Sequence, residues 1–342
     1  MPYWRRLAVF AAAVVSIDLG LVCLGVWATA RPLFGDGQMI LDAGSDLVAG
    51  RALYGHSLFL YPPLAAVLGI GLAAVPGWLL IEAVLRLLVV ALGAWVVTAG
   101  HDRRARLLTV VVAVTCVPVV QDLIYGNENV WLAAAVALIV WRTDTKWSGV
   151  PLGLLLALFA KPQLAVFLLW MVMWRRRAFV ATIVTATVAT AAGVILAGAS
   201  TYDAWLRHDL GQYQTLSAPF TGNQGLQAMV GPAWPLVFVV LMLALGLALW
   251  RLDEPRALVW ALATGVLVLP YVGAYSLVPL LPAARQLART GPIAGLLAPL
   301  LALFAPSIML LGVLAAQLIG PKRSQYPLVI EADRGGATAQ PR

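Results

Sequence analysis

The chain has 342 residues, of which 62% are apolar and 11% charged, and its mean hydropathy is +0.89. An ordinary soluble domain is about 45–50% apolar and about 25% charged, so this composition excludes a soluble globular protein and predicts a polytopic membrane protein. The net charge of +8 sits mostly in short Arg runs between apolar segments, which marks cytoplasmic ends of spans and excludes a broad nucleic-acid-binding face.

The first apolar run covers residues 7–30. It is too long for a signal-peptide core, and Arg31-Pro32 offers no small-residue cleavage site, so it is expected to be a retained first span. Asp18 lies inside it without an evident partner. The stretch FGDGQMILDAGSDLVAG follows at residues 34–50 and carries Asp36, Asp42 and Asp46. A helix from about Gly37 would put Asp42 and Asp46 on one face, toward water, and leave Asp36 just ahead of it as a cap.

Further apolar segments cover 60–76, 78–99, 107–120, 130–141, 147–160, 162–174, 178–199, 232–250, 257–270, 276–288 and 292–319. Several fall short of the ~20 residues that an upright crossing needs. Short or Pro-interrupted helices fit where protein or a wet cavity, rather than lipid, surrounds their ends. Glu82 and Arg86 stand four apart in one such segment and are expected to form an intrahelical pair. Lys161 interrupts LGLLLALFAKPQLAVFLLW just before Pro162, a helix breaker. Its charge must face protein, a cavity or the headgroup level.

The basic runs at 4–6, 102–106, 174–177, 251–256 and 285–289 fall on one side of the membrane only if residues 60–76 do not cross. That segment, opened by Pro62-Pro63 and closed by Pro76-Gly77, is therefore predicted to lie along or dip into the outer face. The expected fold is an all-α polytopic bundle of about ten to twelve transmembrane helices with this outer re-entrant or juxtamembrane segment. It forms one domain over residues 1–320, with outer loops at 31–60 and 200–231, and a flexible cytoplasmic tail at 321–342. Cys23 and Cys116 each lie in an apolar run, so neither a disulfide framework nor a thiolate metal site is expected.

Polar residues gather at the predicted outer ends: Asp36, Asp42, Asp46 and His56, then Gln121 to Asn129, then Lys161 with Gln163, the loop Asp203 to Gln227, and Tyr271 with Tyr275. Two readings stand side by side here. One is an outer cavity that handles a polar group carried on a lipid; the other is an ordinary set of extracytoplasmic loops. Lys161 at a broken helix suits an anionic phosphate, or is a snorkelling lysine at an interfacial turn.

Several short motifs occur in an informative order. They are Asp36 followed by a small-residue helix and Gly50-Arg51-Ala52-Leu53-Tyr54, then Tyr61-Pro62-Pro63-Leu64, Gly126-Asn127-Glu128-Asn129, Lys161-Pro162 and Asn223-Gln224-Gly225. In these the chain resembles the polyprenyl-phosphate-sugar-dependent glycosyltransferases of the GT-C fold, and among them glycosyltransferase family 87, the bacterial alpha-mannosyltransferase-like family. The resemblance implies inverting transfer of a sugar, mannose first, from a polyprenyl phosphate to a lipid-linked or glycan acceptor hydroxyl. It implies a multi-pass protein of the plasma membrane with its site facing outside, with membrane lipids and no nucleic acid as partners. No cofactor or metal is implied, since the lipid-phosphate sugar is itself a substrate.

By the same resemblance Asp36 is the general base, a role that needs hydrogen-bond reach of the acceptor hydroxyl. Lys161 is the first candidate to stabilise the leaving phosphate, and Asn127, Asn129 and Asn223 orient sugar or phosphate. Gln224, Tyr61, His56 and Tyr275 complete the implied binding set. Two positions depart from the family pattern: Asn127 stands where Gln is expected, and Tyr275 stands near a place where some relatives carry His. The rival readings are a flippase of a lipid-linked saccharide, which needs polar groups through the bundle, and a non-catalytic subunit of an envelope-assembly complex.

Overall fold

The computed structural model describes residues 33–54, 59–99, 102–142, 144–216, 223–283 and 306–319. The predicted first span with Asp18, His56, the basic run at 285–289 and the tail lie outside the described residues.

The described chain is helical throughout. In order it forms α1 (Gly35–Val48), α2 (Pro63–Ala73), α3 (Trp78–Val97), α4 (Arg103–Thr115), α5 (Val117–Tyr125), α6 (Asn129–Trp141) and α7 (Lys146–Phe159). There follow α8 (Gln163–Trp174), α9 (Arg176–Ala197), α10 (Ala199–Leu216), α11 (Leu226–Val230), α12 (Trp234–Arg251), α13 (Glu254–Leu267) and α14 (Pro306–Ile319). A short 3-10 turn, Gly231–Ala233, joins α11 to α12, and a longer 3-10 segment runs over Ala274–Ala283.

The boundaries follow from local chemistry. Pro63 opens α2 at a position where its missing N–H costs nothing. Asp102 caps α4 by accepting from the Arg104 and Ala105 amides at 2.9 and 3.0 Å. Pro118 divides the expected segment 107–120 into α4 and α5, bent by 46°. It brings no amide donor, and its ring clashes with the carbonyl four residues back. Pro279 and Pro282 likewise keep 274–283 out of the α-helix expected over 276–288.

Asp36 does not cap α1 as the sequence suggested. The helix starts at Gly35, the cap position is Phe34 with φ 59° and ψ 31°, and Asp36 lies inside the first turn. The cause is tertiary: the Phe34 amide donates to the Ile124 carbonyl at 2.6 Å, which fixes where α1 begins.

By length and composition, three helical units among the described residues can cross a membrane: α3, α9 and the α11–α12 unit Leu226–Arg251; the bent α4–α5 pair makes a fourth if it is one span. This is fewer than the ten to twelve expected, because the remaining apolar helices are short. In the three long units only 11, 17 and 22% of the apolar window is buried, so their apolar side chains face outward. Such helices, apolar all round and exposed, belong in lipid. Of the short helices, α6 and α13 lie inside. Every residue of α13 from Ala257 to Leu267 is buried, packed with Leu132, Ile139, Phe167, Trp170 and Met171 of α6 and α8. Their ends meet protein, which removes the need for full spanning length.

Helix α6 and the 3-10 segment 274–283 run side by side, each covering roughly 20 Å. At one end Tyr125 packs edge-on against Tyr275 with ring centres 5.7 Å apart; at the other Trp141 Nε1 donates to the Pro282 carbonyl at 3.4 Å. The basic turns gather at the Trp141 end. There Arg175 pairs with Glu254 at 2.5 Å, and Asp144 accepts from the Arg177 and Ala178 amides at 3.3 and 3.1 Å. The acid-rich start of α1 lies at the Tyr125 end.

Candidate active site

The site is built on a contact between two turns. Helix α5 ends at Gly126, whose φ of 71° favours glycine. A Cβ there would stand 2.9 Å from the Gly37 nitrogen and 3.1 Å from Phe34 Cα, so the start of α1 rests directly on the turn. Farther along, a Cβ on Gly69 would run into the Ile40 carbonyl, and one on Gly44 would approach the Ile70 nitrogen to 2.5 Å. These two glycines let α1 and α2 touch backbone to backbone, so α1 lies across α2 with its first turn aimed at residues 126–129.

Asp36 is thereby brought to Asn127, whose Nδ2 donates to Asp36 Oδ2 at 2.8 Å. The orientation of that amide follows from its other end. Asn127 Oδ1 accepts from the Glu128 amide at 3.0 Å, from Asn129 Nδ2 at 2.7 Å and from Lys161 Nζ at 3.5 Å. Three donors surround one atom, which must be the oxygen. The nitrogen is left facing the carboxylate.

Beneath the turn lies Arg86, 2% exposed. Its guanidinium donates to Glu82 at 2.5 Å, to the Gly126 carbonyl at 3.2 Å and to the Asn127 carbonyl, and it stands 3.6 Å from the Asp122 carboxylate. Glu82 and Arg86 therefore form the expected intrahelical pair, but the arginine also reaches across to α5 and its turn. Asp122 is fully buried, and its carboxylate accepts from the Asn129 and Val130 amides at 3.2 and 3.3 Å. It caps α6 from the preceding helix. Buried charges persist only when paired and hydrogen-bonded, and each of these is.

Lys161 sits where α7 stops at Ala160, φ 45°, ahead of Pro162. Its Nζ is 2.9 Å from Glu128 Oε2 and 5.4 Å from the centre of the Tyr61 ring. Tyr61 is buried; burial first, then the Glu128 and Asp36 carboxylates, pushes its phenol well above the usual range. It stays protonated and able to donate. Tyr54 donates to the Tyr61 carbonyl at 2.7 Å, and Phe59 and Phe159 pack edge-on against the Tyr61 ring.

Of the residues singled out in the sequence, Asp36, Asn127, Asn129, Lys161 and Tyr61 lie in one cluster, and Tyr275 stands beside it against Tyr125. Asn223 and Gln224 have a different place. Asn223 donates to the Pro270 carbonyl at 3.0 Å and accepts from the Gly225 and Val272 amides at 2.8 and 3.4 Å. The Gln224 amide donates to the Val272 carbonyl at 3.0 Å, and its own carbonyl accepts from Ser307 at 2.7 Å. They fasten a loop to the chain that leads into Tyr271 and Tyr275. Asp42 accepts from Gln38 at 2.8 Å and Asp46 pairs with Arg51 at 2.5 Å, away from the cluster on the open side of α1.

Sequence reasoning counted Asp122 and Glu128 among the polar residues of the outer ends without a specific role, and gave Arg86 only its pairing with Glu82. The available signal was the cost of an arginine inside an apolar helix, which demands partners from other helices. Among the described residues no three His, Cys, Asp or Glu side chains converge as a metal ion would require. What the cluster offers is an oriented carboxylate able to take a proton from a hydroxyl, beside amide donors, a protonated phenol and an ammonium group able to hold an anion.

The model of glycosyltransferase family 87 matches residues 59–270. No curated protein and no solved structure matches the chain. The matched stretch carries Tyr61, Asn127, Asn129, Lys161, Asn223 and Gln224, while Asp36 and Tyr275 flank it. Matched over more than half of its length, and built of apolar helices around a polar cluster, the chain belongs to glycosyltransferase family 87.

Proposed function

We propose that the protein transfers a sugar, mannose, from a polyprenyl phosphate to a lipid-linked or glycan acceptor hydroxyl at the extracytoplasmic face, with inversion at the anomeric carbon. The observation that carries this reading is the 2.8 Å bond from Asn127 to Asp36. It holds one carboxylate oxygen and so sets the direction from which a hydroxyl proton is accepted.

In this mechanism the acceptor hydroxyl attacks the anomeric carbon, the bond from that carbon to the phosphate oxygen breaks, and Asp36 takes the hydroxyl proton as the new glycosidic bond forms. The electron pair leaves on the lipid phosphate. Lys161, Asn129 and Tyr61 stabilise that charge by donating to it, and Lys161 divides its attraction between the phosphate and Glu128. Asn223 and Gln224 act by holding the loop beside Tyr275, and His56 belongs to the binding set on the resemblance alone. The basic turns at the Trp141 end face the cytoplasm by their charge, which puts the Asp36 end outside.

A flippase reading is less well supported. From Val130 to Val140 the buried face of α6 is entirely apolar, so no polar path continues from the cluster along this helix.

The test uses membranes containing the protein and radiolabelled polyprenyl-phosphate mannose. Label is expected in a glycolipid or glycan product whose anomeric configuration is opposite to that of the donor. Retention of configuration, or no transfer from this donor while a nucleotide sugar serves, overturns the reading.

A further inference from the structure

At the end of the bundle opposite Asp36, a groove of about 650 Å³ lies between the start of α7 and the start of α9, lined by Asp144, Lys146, Trp147, Arg176, Arg177 and Val180. Lys146, Arg176 and Arg177 are exposed, and among the described residues no carboxylate pairs with any of them. The one acid in the lining, Asp144, is taken up by the Arg177 and Ala178 amides at 3.3 and 3.1 Å. Three cations thus face one groove against a single carboxylate, which leaves it positively charged.

The rim of the groove carries two exposed apolar side chains. Trp147 is 73% exposed, with Lys146 Nζ 5.4 Å from its ring centre, and Val180 is 58% exposed. Val180 begins a row that continues through Val184 and Val188, both exposed, along α9. That helix is long and apolar enough to cross a membrane and is buried over only 17% of its apolar window. The groove therefore opens where a lipid-facing helix surface meets the headgroup layer. An exposed Trp at such a boundary is the usual interfacial anchor.

We infer that this groove binds an anionic phospholipid, its phosphate against Lys146, Arg176 and Arg177 and its acyl chain along Val180, Val184 and Val188. Basic recesses between transmembrane helices recognise such headgroups by charge. A free inorganic phosphate would use the cations but not the apolar row, which is why the lipid is favoured. The site is separate from the Asp36 cluster and does not depend on what that cluster transfers.

The experiment uses the full-length protein in detergent, with retention of phosphatidylglycerol and phosphatidylcholine followed by native mass spectrometry, and inorganic phosphate as competitor. Phosphatidylglycerol is expected to be retained preferentially and not displaced by phosphate. The combined change Lys146→Gln, Arg176→Gln and Arg177→Gln is expected to weaken that retention roughly tenfold or more, at the scale of surface Lys and Arg near anionic lipid. Neutralising two cations elsewhere at the same end, Arg103→Gln with Arg251→Gln, is expected to leave it within about twofold.

A second readout does not rely on the triple variant folding. Brominated phosphatidylglycerol is expected to quench part of the tryptophan emission of the wild type, and Trp147→Phe is expected to remove that part. Equal retention of both lipids, displacement by phosphate, an equal loss in the control variant, or quenching unchanged in Trp147→Phe would each overturn the inference.

Discussion

Asn127 and Asp36, 91 positions apart in the chain, are joined by a hydrogen bond of 2.8 Å from amide to carboxylate. The bond exists because the turn that carries Asn127 is fixed from three sides, by Arg86 below, by Asn129 beside it and by Gly126 against the start of α1. Loss of Asn127 itself, of Arg86 or of Gly126 has a distinct expected effect.

Asn127→Ala leaves Asp36 without its orienting donor but keeps the fold. Turnover at saturating donor is expected to fall by about 10²-fold, the scale for small misplacement of a reacting group, with little change in the donor KM. A change confined to KM would show that Asn127 serves binding rather than orientation.

Arg86→Met strands the Glu82 and Asp122 charges in the interior. Breaking a buried pair from one side costs about 3–5 kcal/mol, so the thermal midpoint in detergent is expected to fall by several degrees or more. Glu82→Gln keeps a polar group for Arg86 and removes the less buried charge, and is expected to cost clearly less. Equal midpoints for the two variants would contradict the central place given to Arg86.

Gly126→Ala and Gly77→Ala form a matched comparison, since their φ values are 71° and 69°. Both incur the left-handed strain of roughly 1–2 kcal/mol. Only at Gly126 does the new Cβ meet backbone, at 2.9 Å from Gly37; at Gly77 nothing lies within 4 Å. Gly126→Ala is expected to be the less stable and to lose transfer activity, whereas Gly77→Ala keeps it. Similar losses in both would mean that the contact between the turns does not matter.

Lys161→Met leaves the Glu128 carboxylate buried without its partner at 2.9 Å. Stability is expected to fall, and adding Glu128→Gln is expected to restore part of it, a coupling on the order of 1–3 kcal/mol in a double-mutant cycle. The double variant is still expected to use donor poorly, because the ammonium is gone. Additive effects on stability would dissolve the pair.

Much of the frame was legible from the residues. Proline and glycine marked the ends of α2, α7 and α8, and apolar runs located the helices other than α1, α10 and α11, the last two lying within the stretch 200–231 expected as an outer loop. The break at Lys161-Pro162 and the gathering of basic turns at one end were also readable. Span count was not, because hydropathy does not distinguish α13, surrounded by protein, from α9, whose apolar side chains face outward. Asp36 was singled out by resemblance, yet its position in the first turn of α1 depends on the Phe34 amide finding Ile124, a contact between distant parts of the chain that local capping rules do not contain. The same limit hid Arg86: its i,i+4 neighbour Glu82 explained it locally, while its bonds to the 126–127 carbonyls come from folding alone. By resemblance Asn223 is expected to orient sugar or phosphate, whereas its bonds to the backbone of Pro270 and Val272 are visible only in three dimensions.

The central claim is that Asp36 accepts the acceptor proton. Asp36→Asn keeps the size of the side chain and removes its basicity, so the purified variant should match the wild type in thermal midpoint and in binding of a polyprenyl-phosphate sugar while its single-turnover transfer rate falls by at least about 10²-fold. A transfer rate equal to that of the wild type, in a variant shown to be folded and to bind donor, would contradict it.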